Sequence, residues 1–209
     1  MEKSGTLNSH LLAESTQKLA ESDTHLNRIF IKYGKPPLWD RAPGFATLLQ
    51  IILEQQVSLA SAKACFDKLT RHLGPVTPEG IIRLSEAELK AIGFSRQKTS
   101  YARHLAAAVL EQTVDLDALP AMSDAEAKSE LIRLKGVGEW TSDIYLLMAL
   151  LRPDIMPRGD VALHTAWQDL SGGTRPSSDE FLTIAEGWRP FRSTAARLLW
   201  HYYLSERKR

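Results

Sequence analysis

The chain has 209 residues, 44% of them hydrophobic and 24% charged. That balance fits one large globular domain or two small lobes, and it excludes a disordered chain, a collagen-like repeat and a disulfide scaffold. The net charge of +1, from 26 basic and 25 acidic residues, excludes a global cationic field while leaving room for a local basic face. The single cysteine, Cys65, can neither close an intrachain disulfide nor supply a multi-cysteine zinc or iron–sulfur site.

The N-terminal apolar residues are interrupted by His10, Glu14, Lys18 and Glu21, which predicts no signal peptide. No run approaches the roughly 18 apolar residues of a membrane helix. A reduced intracellular compartment is expected, the cytoplasm of a bacterium or the nucleus of a eukaryote. Residues 7–32 carry a helical period through Leu11, Leu12, Leu19, Leu26, Ile29 and Phe30, with a break expected near Ser22-Asp23 and a stop at Gly34 and Pro36-Pro37. Residues 45–53 are apolar nearly all round and predict a central buried helix. A helix over 58–72 ends at Gly74, and Thr77-Pro78 reads as a cap with proline at the first helical position. Ser85 with Glu88 and Ser123 with Glu126 fit capping boxes. Further helices are expected over 98–112, 160–170, 178–185 and 191–205, with no sustained alternation of period two anywhere. The expectation is therefore an all-α chain of short helices, with joins most plausible at 35–43 and 171–178.

The most informative stretch, residues 131–151, reads LIRLKGVGEWTSDIYLLMALL. One helix ends near Leu134, Gly136 and Gly138 flank Val137, and a second helix starts at about Glu139. Two glycines so placed permit a tight turn that delivers free amides at a helix start, where the dipole also favours an anion. On these residues alone, a plain helix–turn–helix packing element fits as well as a phosphate grip.

The string Leu-Lys-Gly-Val-Gly-Glu-Trp-Thr resembles the helix–hairpin–helix of the DNA glycosylase superfamily, and the run Arg-Pro-Asp-Ile-Met-Pro-Arg-Gly-Asp over 152–160 resembles its loop ending in an aspartate. Three more segments resemble the alkylated-base branch, the 3-methyladenine DNA glycosylase II group: Gln55-Gln56-Val57-Ser58, Gly93-Phe94-Ser95 with Lys98, and Trp188-Arg189-Pro190-Phe191-Arg192-Ser193 with Trp200. The resemblance runs in order from Phe45 to Tyr203. It implies a two-lobed helical fold without the N-terminal β domain of some members. The organisation expected is one domain over 1–209, with N-terminal helices (1–43), a central lobe (44–134), the hairpin motif (131–151) and a catalytic loop with C-terminal helices (152–209).

A glycosylase must extrude its base from the duplex and then stabilise positive charge on the sugar as the bond breaks. One carboxylate beside that sugar can stabilise the cation and orient water. The resemblance implies Asp160 for this role; a helix cap for residues 161–170 is the alternative, and the two are compatible. Bifunctional relatives carry a Schiff-base lysine where Trp140 stands, so the resemblance implies hydrolysis without strand cleavage. Electron-poor alkylated purines stack on electron-rich rings. Trp140 and Trp200 match the pocket aromatics of the family, with Tyr145 and Trp39 as further candidates; Ile144 stands where the family often has tyrosine. His164, four residues after Asp160, suggests a dyad that the family mechanism does not use.

Gln55 and Gln56, at a helix end, are expected to fill the gap left by the extruded base or touch the opposite base, a solvated polar turn being the alternative, and Ser58 is expected to cap the next helix, contact phosphate, or do both. Lys135, Gly136, Val137, Gly138, Thr141, Arg192 and Ser193 are expected on the DNA backbone. Main-chain carbonyls of Ile132, Leu134 and Val137 are expected to hold a sodium or potassium ion only with DNA, and no cofactor is required. The tail from Glu186, with Arg189, Arg192, Arg197, Arg207, Lys208 and Arg209, is a candidate basic face, a solvated helix face being the alternative. The expected partner is double-stranded DNA with damaged bases, the protein acting as a monomer away from membranes. The activity so implied is hydrolysis of the N-glycosidic bond of alkylated purines in base excision repair. The alternatives are a non-catalytic DNA-binding or lesion-sensing module, or a glycosylase for a deaminated or oxidised base.

Overall fold

The computed structural model describes residues 6–207; Lys208 and Arg209 of the expected basic tail lie outside the described residues. Among the described residues the chain forms twelve α-helices and two short 3-10 helices and no strand. None of these helices is long and apolar enough to cross a membrane. The chain divides into two compact units, one from residues 1–40 and 151–209, the other from residues 41–150. The change of unit after Asp40 falls within 35–43, whereas 171–178 is an internal link of the first unit.

The first unit joins both ends of the chain. Helices α1 (Ser9–Ser22) and α2 (Thr24–Tyr33) are separated at Asp23, whose carboxylate accepts the His25 and Leu26 amides. They pack with α12 (Arg192–Glu206), which also packs on α10 (Val161–Ser171); α11 (Ser178–Ala185) joins a 3-10 turn ending at Trp188. The centre of this unit is α12, buried continuously from Ser193 to Trp200. Such a helix carries polar groups inward, and each finds a partner, as burial requires. Thr194 Oγ1 pairs with Ser15 Oγ at 2.8 Å. Arg197, wholly buried, donates Nε to the Leu38 carbonyl at 2.7 Å and Nη1 to the Ser193 carbonyl at 3.0 Å. Burial lowers its guanidinium to a pKa of about 10.

The second unit is built around α3 (Phe45–Glu54), α4 (Leu59–Leu73) and α7 (Arg96–Leu110). In α3, Leu48, Leu49, Ile51 and Ile52 are fully buried, which is why its apolar residues run all round. Short helices α5 (Pro78–Arg83) and α6 (Glu86–Ile92) lead into α7, which starts two residues before the expected position because Ser95 caps it by accepting the Lys98 amide. Both expected capping boxes form, at Ser85 with Glu88 and at Ser123 with Glu126. The unit ends with α8 (Asp124–Ile132) and α9 (Glu139–Met148), which pack together and are tied by Lys128 Nζ to the buried Asp143 carboxylate at 2.7 Å.

Candidate nucleic-acid interface and catalytic carboxylate

In the second unit, the turn between α8 and α9 is fixed by its neighbours. The Leu134 amide donates to the Leu131 carbonyl and the Val137 amide to the Leu134 carbonyl, so α8 gives way to a tight turn before the glycines. Gly136 has φ +88°, and a Cβ there would stand 2.3 Å from Tyr101 Cγ. Only glycine fits both that dihedral and that contact. Gly138 is the extended N-cap of α9 and offers no side chain to its amides. The start of a ten-residue helix is thus left to main-chain donors and the dipole, the arrangement that receives phosphate. Lys135 is exposed and reaches Ser100 Oγ at 3.0 Å, beside this turn. Val137 is 5% exposed and anchors the turn in the core.

Gln55 corrects the sequence expectation. Its Nε2 donates to the Gly136 carbonyl and to Thr141 Oγ1, both at 2.8 Å. The amide expected to meet DNA bases instead latches the end of α3 to the hairpin, and Thr141, expected on DNA, is 2% exposed and accepts that bond. Gln56 follows in a left-handed conformation, φ +57°, and is exposed, next to the exposed Val57 and Leu59. Ser58 caps α4 by accepting the Ser61 amide at 3.2 Å. Lys98 Nζ donates to the Leu53 carbonyl at 2.5 Å at the end of α3, and partial burial lowers its pKa.

Tyr145 is a second correction. It is wholly buried, and its hydroxyl accepts the Gly44 amide at 2.8 Å, so it fills core rather than an open base pocket. Burial raises its phenol pKa. Ile144 is likewise core, 2% exposed, and Trp140 is half-buried in the first turn of α9.

In the first unit, residues 152–159 form a loop that ends at Asp160, the N-cap of α10. Asp160 Oδ1 accepts the Leu163 amide at 3.0 Å and the Trp200 indole N–H at 3.2 Å. The residue is 8% exposed. The cap expected as the alternative is present, and it aims the carboxylate at an indole. Trp200, 8% exposed, is therefore a hydrogen-bond partner of the acid as well as an aromatic wall. Trp39 is half-buried at φ +49°, its ring edge-on to His201 at 6.4 Å, one residue from Trp200 along α12. His164 packs on Phe181, ring centroids 4.7 Å apart, and burial foremost, then Arg175, lower its pKa. Its Nε2 is buried without a hydrogen-bond partner.

Arg192 and Ser193 are further corrections. Arg192 is committed to Asp154 and Glu186, and Ser193 is wholly buried with its hydroxyl on the Arg152 carbonyl. The tail is no free basic face within the described residues. Arg189 pairs with Glu186 and Asp154, Arg197 is buried, and the Arg207 guanidinium lies 3.9 Å above the Tyr203 ring. Among the described residues no cluster of three or more histidine, cysteine, aspartate or glutamate side chains is placed to hold a metal.

An all-α chain with a glycine hairpin opening one helix and an acid capping another belongs to the helix–hairpin–helix class. The sequence pattern of the family described as "HhH-GPD superfamily base excision DNA repair protein" matches residues 49–190, well over half of the chain. The chain belongs to that superfamily. It is 28% identical over 188 residues to a putative DNA-3-methyladenine glycosylase of Bacillus subtilis, covering 86% of this chain and 66% of that protein. It is 27% identical to DNA-3-methyladenine glycosylase 1 of Schizosaccharomyces pombe, covering 75% of this chain and 71% of that one. The fold matches the solved Schizosaccharomyces pombe 3-methyladenine DNA glycosylase in complex with abasic DNA, with TM-score 0.83 and 24% identity, over 90% of this chain and 95% of that chain.

Proposed function

We propose that this protein is a monofunctional DNA glycosylase that hydrolyses the N-glycosidic bond of alkylated purines, of the 3-methyladenine and 7-methylguanine type, in base excision repair. The observation that carries the reading is Asp160 Oδ1 held between the Leu163 amide and the Trp200 indole, in a chain of this superfamily. Two donors on one oxygen orient the carboxylate. A carboxylate so fixed stabilises the positive sugar that forms as the base departs, and it orients or deprotonates the attacking water. A purine alkylated on a ring nitrogen leaves as a neutral base, so no general acid is required. That agrees with His164 being turned onto Phe181.

Trp140, without an amine, forms no Schiff base, and the product is an intact strand with an abasic site. Trp200, bonded to Asp160, is the proposed stacking surface for the electron-poor base. The amides around Gly136 and Gly138 take a phosphate, and Lys135 adds charge, contacts that position the protein without reading sequence. Gln56 is the side chain presented to the gap in the duplex. The carbonyls of Ile132, Leu134 and Val137 lie at and just beyond the C-terminal end of α8, where the dipole favours a cation. Such neutral oxygens fit a monovalent ion, which would join the hairpin to the phosphate. The protein acts as a monomer on double-stranded DNA, in the nucleoid-containing cytoplasm of a bacterium or the nucleus of a eukaryote.

Duplexes each carrying one defined lesion test the reading, with abasic sites revealed by alkali. Release from alkylated purines is expected. Binding without release of any base would leave a lesion-sensing module, release only from deaminated or oxidised bases would reassign the substrate, and nicking without alkali would contradict the role of Trp140.

A further inference from the structure

Helix α12 holds both ends of the loop that delivers Asp160. At the loop entrance Ser193, with no exposed surface, donates its hydroxyl to the Arg152 carbonyl at 2.6 Å and accepts the Ile155 amide at 2.9 Å. The Ser193 amide donates to the Pro153 carbonyl at 3.1 Å. Beside it, Arg192 Nε donates to Asp154 Oδ1 at 2.9 Å, and Nη2 to Oδ2 at 3.1 Å and to the Asp154 carbonyl at 2.8 Å. The two side chains are 15% and 18% exposed, so the fork is largely removed from water. At the loop exit Trp200, two turns along the same helix, donates Nε1 to Asp160.

Burial alone would hold such a loop against the helix in many registers. Directed bonds to three consecutive carbonyls, one amide and one carboxylate select one register. Replacing the charge pair with apolar groups of similar volume would hold the loop as tightly but would not fix it in the same way. We propose that Arg192, Asp154 and Ser193 are positioning residues, which set the Asp160 carboxylate through the loop and take no part in DNA contact. The inference rests on the catalytic reading of Asp160.

The test uses the whole protein on duplex DNA methylated with dimethyl sulfate, measuring single-turnover release of free base. Binding to a duplex with a tetrahydrofuran abasic analogue and thermal melting are followed alongside. Arg192→Gln, Asp154→Asn and Ser193→Ala should each slow release about 10- to 100-fold, the scale expected when a reacting group moves by about an ångström. Binding to the abasic analogue should be unchanged. Arg192→Lys should restore little, because an ammonium cannot bridge both carboxylate oxygens and the carbonyl.

In an Asp160→Asn background the same substitutions should lose nothing further, since they act through that carboxylate. An equal loss in both backgrounds would show a merely structural role, and a loss of abasic-duplex binding would return Arg192 to the DNA backbone. Either result overturns the inference, as does a wild-type rate in Arg192→Gln and Asp154→Asn. Ser193→Ala is the variant most exposed to misfolding; the other two, at a partly exposed pair, carry the test without it. Wild-type release by Asp160→Asn alone would fell the catalytic reading, and this inference with it. Inactivity of Asp160→Asn with intact clamp variants would fell this inference only.

Discussion

Gly136→Ala isolates the fit between the hairpin and the helix behind it. The glycine sits at φ +88°, where an alanine costs roughly 1–2 kcal/mol. Its Cβ would lie 2.3, 2.4 and 2.7 Å from Tyr101 Cγ, Cδ2 and Cδ1. Carbon atoms at ordinary contact stand about 3.5–4.0 Å apart, so the ring or the turn must retreat by more than an ångström. The ring is not loose, because Gln97 Nε2 donates to the Tyr101 hydroxyl at 2.6 Å. Forced overpacking of this kind costs about 1–3 kcal/mol, which makes the whole substitution about 2–5 kcal/mol. Urea unfolding measures it, and a second measurement in a Tyr101→Ala background separates the parts. With the ring gone, Gly136→Ala should cost only the dihedral part, roughly 1–2 kcal/mol. An equal cost in both backgrounds, or none in the first, would refute the argument that Tyr101 closes the space beside this glycine.

Three other outcomes follow from the geometry. Trp200→Phe keeps an aromatic ring but removes the N–H on Asp160; a hydrogen bond to a charged acceptor is worth about 1.5–3 kcal/mol, so single-turnover release should fall by about tenfold or more. A wild-type rate would show that this bond does not orient the acid. Gln55→Ala leaves the Gly136 carbonyl and Thr141 hydroxyl without their donor and should cost about 1–3 kcal/mol while weakening binding to abasic duplex; unchanged values of both would remove the latch. His164 has a pKa lowered by burial, so the unfolded chain takes up its proton first as pH falls below 6.5. Its contribution to stability is whole above that pH and is lost as pH drops toward the folded value. Melting temperature should fall in that window for the wild type and fall less for His164→Phe; parallel curves would deny that this ring titrates with folding.

The parts legible in the sequence are those set by neighbours along the chain. Ser85, Ser123 and Thr77 cap helices because each partner amide lies three residues on, a local geometry that residue type predicts. The all-round apolar run at 45–53 gave a buried helix for the same reason. The capping box at Ser177 and Glu180 carries the same local signal.

The corrected residues have partners far away. Gln55 meets Gly136 across 81 residues, Tyr145 meets Gly44 across 101, and Arg192 meets Asp154 across 38. A motif marks such a residue as special without saying whether its polar atoms face DNA or the protein's own backbone. For Arg192 a hint was present: Asp154 lies in the loop that leads to Asp160, and Glu186 is close in sequence. An arginine with two acids in reach is a poor candidate for a free phosphate contact.

The central claim is that the Asp160 carboxylate drives release of the base. Asp160→Asn keeps the size of the side chain and an oxygen for the Leu163 amide, and removes the charge. Single-turnover release of 3-methyladenine and 7-methylguanine from methylated duplex, compared with wild type at equal occupancy of DNA, is the direct measurement. The account predicts loss of most release with binding retained. Release at the wild-type rate by the asparagine variant would contradict it.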